Sequence, residues 1–194
     1  MKPKILIVYA SKMGSTGEIA NFIGKILIQK NYDVEIMSVK NATELMTDLK
    51  TYKAVIIGSP IQYDNWVREV RQFAKNNRKS LSELPVAYFF SCLALSQQSK
   101  KPKEAKLKGL VYSNTLRSLL PEVNPVSVGG FAGVLDYSKM PFLPRIVFKA
   151  IMPILGVKEA DYRNWSAINE WAENVHTKFN CGSTDQENIN SRRM

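Results

Sequence analysis

Four short stretches carry the side chains best suited to chemistry. The first, Ser11-Lys12-Met13-Gly14-Ser15-Thr16, sets three hydroxyls around a glycine, between an apolar run and a helical pattern. Free N–H groups at a helix start, the positive end of the helix dipole and hydroxyl donors together make a small phosphate cradle. The stretch lacks the G-x-x-x-x-G-K-[ST] spacing of a P-loop and the G-x-G-x-x-G of a dinucleotide fold. Without a catalytic lysine or magnesium ligands, such a cradle suits a phosphate that is held rather than transferred. Ser and Thr are also common N-caps, so an ordinary capped turn is the competing reading of the same residues.

The second stretch, Ser59-Pro60-Ile61-Gln62-Tyr63-Asp64-Asn65-Trp66, places aliphatic and aromatic groups just past an apolar run. Tyr63 and Trp66 are suited to stacking on a flat heterocycle, while Trp66 reads equally well as a core residue at the start of a helix. The third and fourth are Ser91-Cys92-Leu93-Ala94 and Ala132-Gly133-Val134-Leu135-Asp136-Tyr137. Their small residues allow a backbone to approach a ligand closely. Cys92 reads as a small buried hydrophobe in preference to a reactive thiol. His176 is the single histidine, and Cys92 and Cys181 have no metal spacing, so neither a metal centre nor a Ser-His-Asp or Cys-His arrangement is expected.

These stretches need a scaffold, and the hydrophobic pattern supplies one. Apolar runs at Ile5–Tyr9, Val34–Met37, Lys53–Ile57, Val86–Phe90 and from Val126 read as buried strands. Between them lie helical patterns: Ile19, Ile23, Ile26 and Leu27, then Trp66 to Asn76, then Glu104 to Leu120, with a last stripe of Trp165, Ile168, Ala172 and Val175. Alternation of this kind predicts an α/β fold, a doubly wound parallel sheet of five strands. A single domain over 1–180 is expected, with an insertion at about 138–160 and a disordered tail over 181–194. In such sheets ligands bind beyond the carboxyl ends of the strands, where all four stretches fall.

The 194 residues are 45% apolar and 23% charged, an ordinary globular composition, with a net charge of +10. That charge predicts an anionic partner. The paucity of cysteine suits a reducing, cytoplasmic compartment, and the apolar run after Lys4 is too short for a signal-peptide core. No nucleic-acid recognition motif accompanies the charge, so nucleic acid is not expected as a partner.

The hydroxyl-rich loop ending in Thr16 resembles the phosphate loop of the flavodoxin family, with Ser11, Met13, Gly14, Ser15 and Thr16 in its places. This likeness covers about the first two-thirds of the chain. A narrower resemblance, to the menaquinone-dependent protoporphyrinogen oxidases within that family, covers nearly all of it. It is carried by Ile61-Gln62-Tyr63, by Ala132 to Tyr137, by the insertion Pro141 to Val157 and by Asp161-Tyr162-Arg163-Asn164-Trp165. Pro60 and Gln62 depart from the small residue and Arg of that pattern.

The resemblance implies FMN as cofactor, held by Ser11, Met13, Gly14, Ser15, Thr16, Pro60, Ile61, Gln62, Tyr63, Trp66, Ser91, Cys92, Leu93, Gly133, Leu135 and Tyr137. It implies oxidation of protoporphyrinogen IX, a tetrapyrrole, with electrons passed to a membrane quinone in haem biosynthesis. The alternative is a flavodoxin-type FMN electron carrier with no substrate reaction of its own, against which the basic charge counts.

The insertion is strongly apolar, yet Arg145, Lys149 and three prolines interrupt it. Its 17 residues reach roughly 26 Å as a helix, short of the ~30 Å hydrocarbon core of a bilayer. Arg145 and Lys149, four apart, share a face. From Lys100 to Lys158 there are ten Lys and Arg against three Asp and Glu, seven of the net +10. The pattern predicts a segment lying on an anionic membrane, peripheral on the inner face of the cytoplasmic membrane. A covering core helix or a homodimer contact is the competing reading.

Overall fold

The computed structural model describes residues 2–44, 48–97, 102–119, 121–154 and 156–191. Strand β1 (Lys4–Tyr9) leads into α1 (Ser15–Gln29), β2 (Asp33–Ser38) and α2 (Val39–Glu44). Next come β3 (Ala54–Gln62), the two-residue β4 (Asn65–Trp66), α3 (Arg68–Asn76), α4 (Arg78–Ser82) and β5 (Val86–Cys92). A 3-10 turn at Leu93–Gln97 precedes α5 (Pro102–Leu119), β6 (Ser127–Ala132) and β7 (Val134–Leu135). The described chain ends with α6 (Phe142–Ile154), β8 (Ala160–Asp161) and α7 (Trp165–Ser191).

The five long strands pair in parallel in the order β2-β1-β3-β5-β6. Side chains alternate across this sheet, so each apolar run feeds two cores. Ile5 and Ile7 of β1, Ala54 and Ile56 of β3, and Ala87 and Phe89 of β5 meet Ile19, Ile23 and Leu27 of α1 and Ile168, Ala172, Val175 and Phe179 of α7. Leu6 and Val8, Val55 and Ile57, and Tyr88 and Phe90 face the other way, onto Trp66, Val70, Phe73 and Tyr112. Burial on both faces is why these strands read as continuous apolar runs. Each fully buried aliphatic side chain contributes about 1.5–3 kcal/mol.

Glycines make room where the strands carry large rings. A Cβ on Gly58 would collide with the Phe89 ring, and one on Gly130 would meet Phe90 Cζ at 2.7 Å. Gly129 and Gly130 thus lie within β6 as seats for aromatic rings.

The doubly wound class and its five parallel strands agree with the sequence pattern. The structure adds antiparallel β4 on β3 and a separate β7–β8 pair, Val134 opposite Asp161 and Leu135 opposite Ala160. Trp66 belongs to β4, and α3 starts at Arg68. The backbone of α7 is helical to Ser191.

Candidate functional site

Strand order reverses at β1, which is flanked by β2 and β3, so a crevice opens above the carboxyl ends of β1 and β3. The parallel register brings the following loops side by side: Tyr9 pairs with Gly58, Pro60 with Ser91, and Cys92 with Ala132.

The β1–α1 loop turns on Gly14, whose φ of 91° is left-handed backbone that suits glycine. The Gly14 N–H donates to Ser11 Oγ at 3.0 Å, which leaves the Ser11 hydroxyl hydrogen free to donate outward. The N–H groups of the first turn of α1, from Ser15 on, have no carbonyl within the helix to reach. Ser11, Met13 and Ser15 are half-buried and Gly14 is exposed. Thr16 is turned inward instead. It is 1% exposed, and its Oγ1 shares a 2.8 Å hydrogen bond with Ser91 Oγ, tying the phosphate-type loop to the end of β5.

The β3–β4 connection is a two-residue hairpin in which Tyr63 (φ 50°) and Asp64 (φ 55°) are both left-handed. This is the backbone of the turn that matches strand twist, adopted here without glycine. Tyr63 projects fully into solvent, while Pro60, Ile61 and Gln62 are half-buried beneath it. The turn is pinned from α5, because Tyr112 donates its hydroxyl to Asp64 Oδ1 at 2.6 Å.

Trp66 does not join Tyr63. It is 1% exposed, its indole N–H donates 2.8 Å to the Tyr112 carbonyl, and its rings stand edge-on to Tyr88 and Phe90. A side chain satisfied and enclosed in this way is core, which corrects its assignment as a stacking residue.

Cys92 is buried, and burial pushes its thiol up, as expected of a packing residue. Gly133 is buried against the Cys92–Leu93 backbone, and its carbonyl accepts the Tyr162 N–H at 3.2 Å. Leu135 and Tyr137 do not offer their side chains to solvent. They are 1% and 8% exposed and form a third apolar cluster with Met140 and Val157, against which Met13 and Leu93 pack. They buttress the loops from behind.

That cluster seats α6 through Phe148 and Met152. None of the residues of α6 is buried, and Phe142, Leu143, Ile146, Val147, Ile151 and Ile154 are exposed. The basic pair points the other way. Arg145 donates 2.8 Å to the Met140 carbonyl, and the Lys149 ammonium lies 5.6 Å from the Tyr137 ring centre. The expected basic stripe is therefore directed back at the domain, and the outward face is apolar. Because α6 buries no side chain, it is not a core helix. Among the described residues, no helix is long and apolar enough to cross a membrane.

Lys139, which the pattern did not single out, stands at this site. Its Nζ lies 3.8 Å from Glu18 Oε1 and 3.8 Å from Asp136 Oδ2, and a Cβ on Gly14 would be 4.0 Å from it. Arg163 bridges Glu18 and Asp161 at 2.6 Å each, with its side chain only 7% exposed.

Hydroxyls and N–H groups around a left-handed glycine fit a phosphate monoester, and an exposed aromatic on the neighbouring loop fits the face of a flat ring. A protoporphyrinogen IX dehydrogenase (quinone) of Leishmania major is 25% identical over 176 residues, 88% of this chain and 73% of that protein. A protein of the same name from Escherichia coli strain K12 is 23% identical over 177 residues, 89% of this chain and 94% of that one. In fold, a short-chain flavodoxin associated with a bacterial microcompartment superposes with a TM-score of 0.53 at 12% identity, covering 91% of this chain and 99% of that one. FMN is the cofactor of this chain, and its chemistry is that of an oxidoreductase. The flavodoxin domain family matches residues 6–161, and the chain belongs to that family.

Proposed function

We propose that the chain oxidises protoporphyrinogen IX to protoporphyrin IX and passes the electrons to a membrane quinone, a step of haem biosynthesis. Bound FMN supplies the redox chemistry; the protein supplies binding, orientation and electrostatics. In this reading the backbone of residues 11–16 and the hydroxyls of Ser11 and Ser15 hold the phosphate, and Thr16 fixes the loop from beneath through Ser91. Tyr63, with Pro60, Ile61 and Gln62, covers the ring system, and the ends of β5 and β6 border it.

The observation that carries the proposal is the extent of the two alignments. Both relatives named for protoporphyrinogen and quinone match close to nine-tenths of this chain, more than the flavodoxin domain itself occupies. The exposed apolar face of α6 supports a membrane-borne acceptor, since the helix is seated beside Met13 and Leu93 and a lipid surface would cover that face. The net charge of +10 attracts an anionic membrane and a carboxylate-bearing tetrapyrrole alike.

The test uses the FMN-loaded protein with protoporphyrinogen IX and a quinone analogue, read by porphyrin fluorescence. Porphyrin should form only with both FMN and quinone present. Flavin that is reduced chemically and reoxidised by quinone, with porphyrin never exceeding the protein-free rate, would instead describe an electron carrier. Liposome co-sedimentation tests the membrane contact. Ile146→Glu with Ile154→Glu should abolish binding to anionic vesicles, whereas Lys149→Gln should change it little. Equal recovery in the supernatant with and without vesicles refutes the contact, and a dimer that dissociates in the same double variant assigns the apolar face to a second copy.

A further inference from the structure

Charge is unevenly supplied around the phosphate-type loop. The loop's own cation, Lys12, is directed away and pairs with Glu69 of α3 at 3.0 Å. Glu18, in the first turn of α1, suits the helix dipole but repels a phosphate. A Cβ on Gly14 would lie 3.7 Å from its Oε1, so this carboxylate borders the loop. Arg163 compensates part of that charge, but both of its faces are taken. It is held at 2.6 Å by Glu18 and at 2.6 Å by Asp161, and its guanidinium lies 4.5 Å from the Trp165 ring centre.

Lys139 differs from these. Its ammonium is 3.8 Å from each of two carboxylates, Glu18 and Asp136, beyond hydrogen-bond length for both, and its side chain is 47% exposed. It comes from the turn between β7 and α6, whose neighbours Tyr137 and Met140 are anchored in the third apolar cluster. The ammonium is thus kept beside Gly14 by packing of its flanking residues, with no short bond to break.

We propose that Lys139 is a phosphate-binding residue for FMN: it leaves the Glu18–Asp136 bridge and places its ammonium on the phosphate dianion. This charge-assisted contact supplies the cation that residues 11–16 do not direct inward. It also couples the cofactor to the insertion, because the turn that carries Lys139 leads directly into α6. The inference rests on FMN as cofactor and is independent of which substrate is oxidised.

The experiment compares FMN with riboflavin, which lacks the phosphate, by quenching of flavin fluorescence on titration with apoprotein. Lys139→Gln should weaken FMN roughly tenfold at low salt while leaving riboflavin unchanged. Lys139→Arg should keep most of the affinity. If riboflavin binding is below detection in both proteins, the salt dependence decides: the slope of log Kd for FMN against log salt should flatten in Lys139→Gln. Thermal unfolding of the apoproteins should coincide, because Lys139 is half exposed. An FMN affinity and salt slope equal to wild type, or equal losses for FMN and riboflavin, would overturn the proposal. Porphyrin formation by the FMN-loaded wild-type protein tests the proposed activity separately.

Discussion

Tyr112→Phe is a one-atom perturbation with a calculable effect. The phenol ring stands edge-on to Phe90 at 5.7 Å, and the Tyr112 carbonyl accepts the Trp66 indole at 2.8 Å. Phenylalanine keeps both. What it loses is the 2.6 Å hydrogen bond to Asp64 Oδ1. Burial, then the bond to Asp64, pushes the Tyr112 phenol well above its ordinary range, so it remains a proton donor throughout the accessible pH range. A hydrogen bond to a charged acceptor is worth about 1.5–3 kcal/mol, and the exposure of Asp64 reduces this to roughly 1–2 kcal/mol.

The bond offsets a local cost, since Tyr63 and Asp64 are both held at positive φ without glycine. Asp64→Gly removes the acceptor and, at the same time, the strain at position 64. In urea denaturation, Tyr112→Phe should therefore lower stability by about 1–2 kcal/mol in the wild-type background and by close to nothing beside Asp64→Gly. An equal loss in both backgrounds refutes the reasoning. It would assign the hydroxyl's contribution to Cys92, which also interacts with Tyr112.

Gly58→Ala should destabilise by about 1–3 kcal/mol in thermal or urea unfolding, because its Cβ runs into the Phe89 ring, and Phe89→Leu should recover part of the loss. Thr16→Val should cost about 1–2 kcal/mol of stability by leaving the buried Ser91 hydroxyl without its 2.8 Å partner, and FMN titration should show weaker binding as the loop loses its tie to β5. Glu35 is held below its usual carboxylate range by hydrogen bonds from Lys4 and then Tyr52. Its contribution is fully present above the ordinary carboxylate pKa and is lost as pH falls through the lowered value, so the stabilities of wild type and Glu35→Gln should converge in acid denaturation.

The sheet was legible because strands buried on both faces need β-branched and aromatic residues in continuous runs, as in Ile5 to Tyr9 and Val86 to Phe90. β4, β7 and β8 were not, since two-residue pairings have no period to detect. Trp66 was ambiguous for a specific reason. It directly follows the exposed hairpin and precedes a helix, and only the position of Tyr112, 46 residues away, shows that its indole is satisfied inside. Leu135 and Tyr137 lie on the right loop, but their side chains close an apolar cluster with Met140 and Val157, residues whose place beside them no local pattern reveals. The periodicity of α6 separated an apolar side from a basic one, and the usual assumption that basic side chains face outward failed because backbone carbonyls at 138 and 140 capture Arg145. Lys139 carried no local signal. Its proximity to Gly14 exists only once β6 has been laid beside β5 and the chain has crossed back over the first loop.

The β7–β8 pair has a bearing on how this fold can change. Leu135 opposite Ala160, with the Tyr162 N–H on the Gly133 carbonyl and the Tyr137 N–H on Glu159, closes the stretch between them at its base. The chain leaves β7 and comes back to it at β8, so the intervening residues form a cassette whose two ends are held together at one point. Doubling the length of a closed loop costs only about 0.6 kcal/mol of closure entropy. Replacement or extension of α6 that keeps Tyr137, Met140 and Val157 therefore leaves the strand order and the buttress of the hydroxyl loop intact, and a flavin scaffold built this way can change the surface it presents there in a single genetic step without refolding its core.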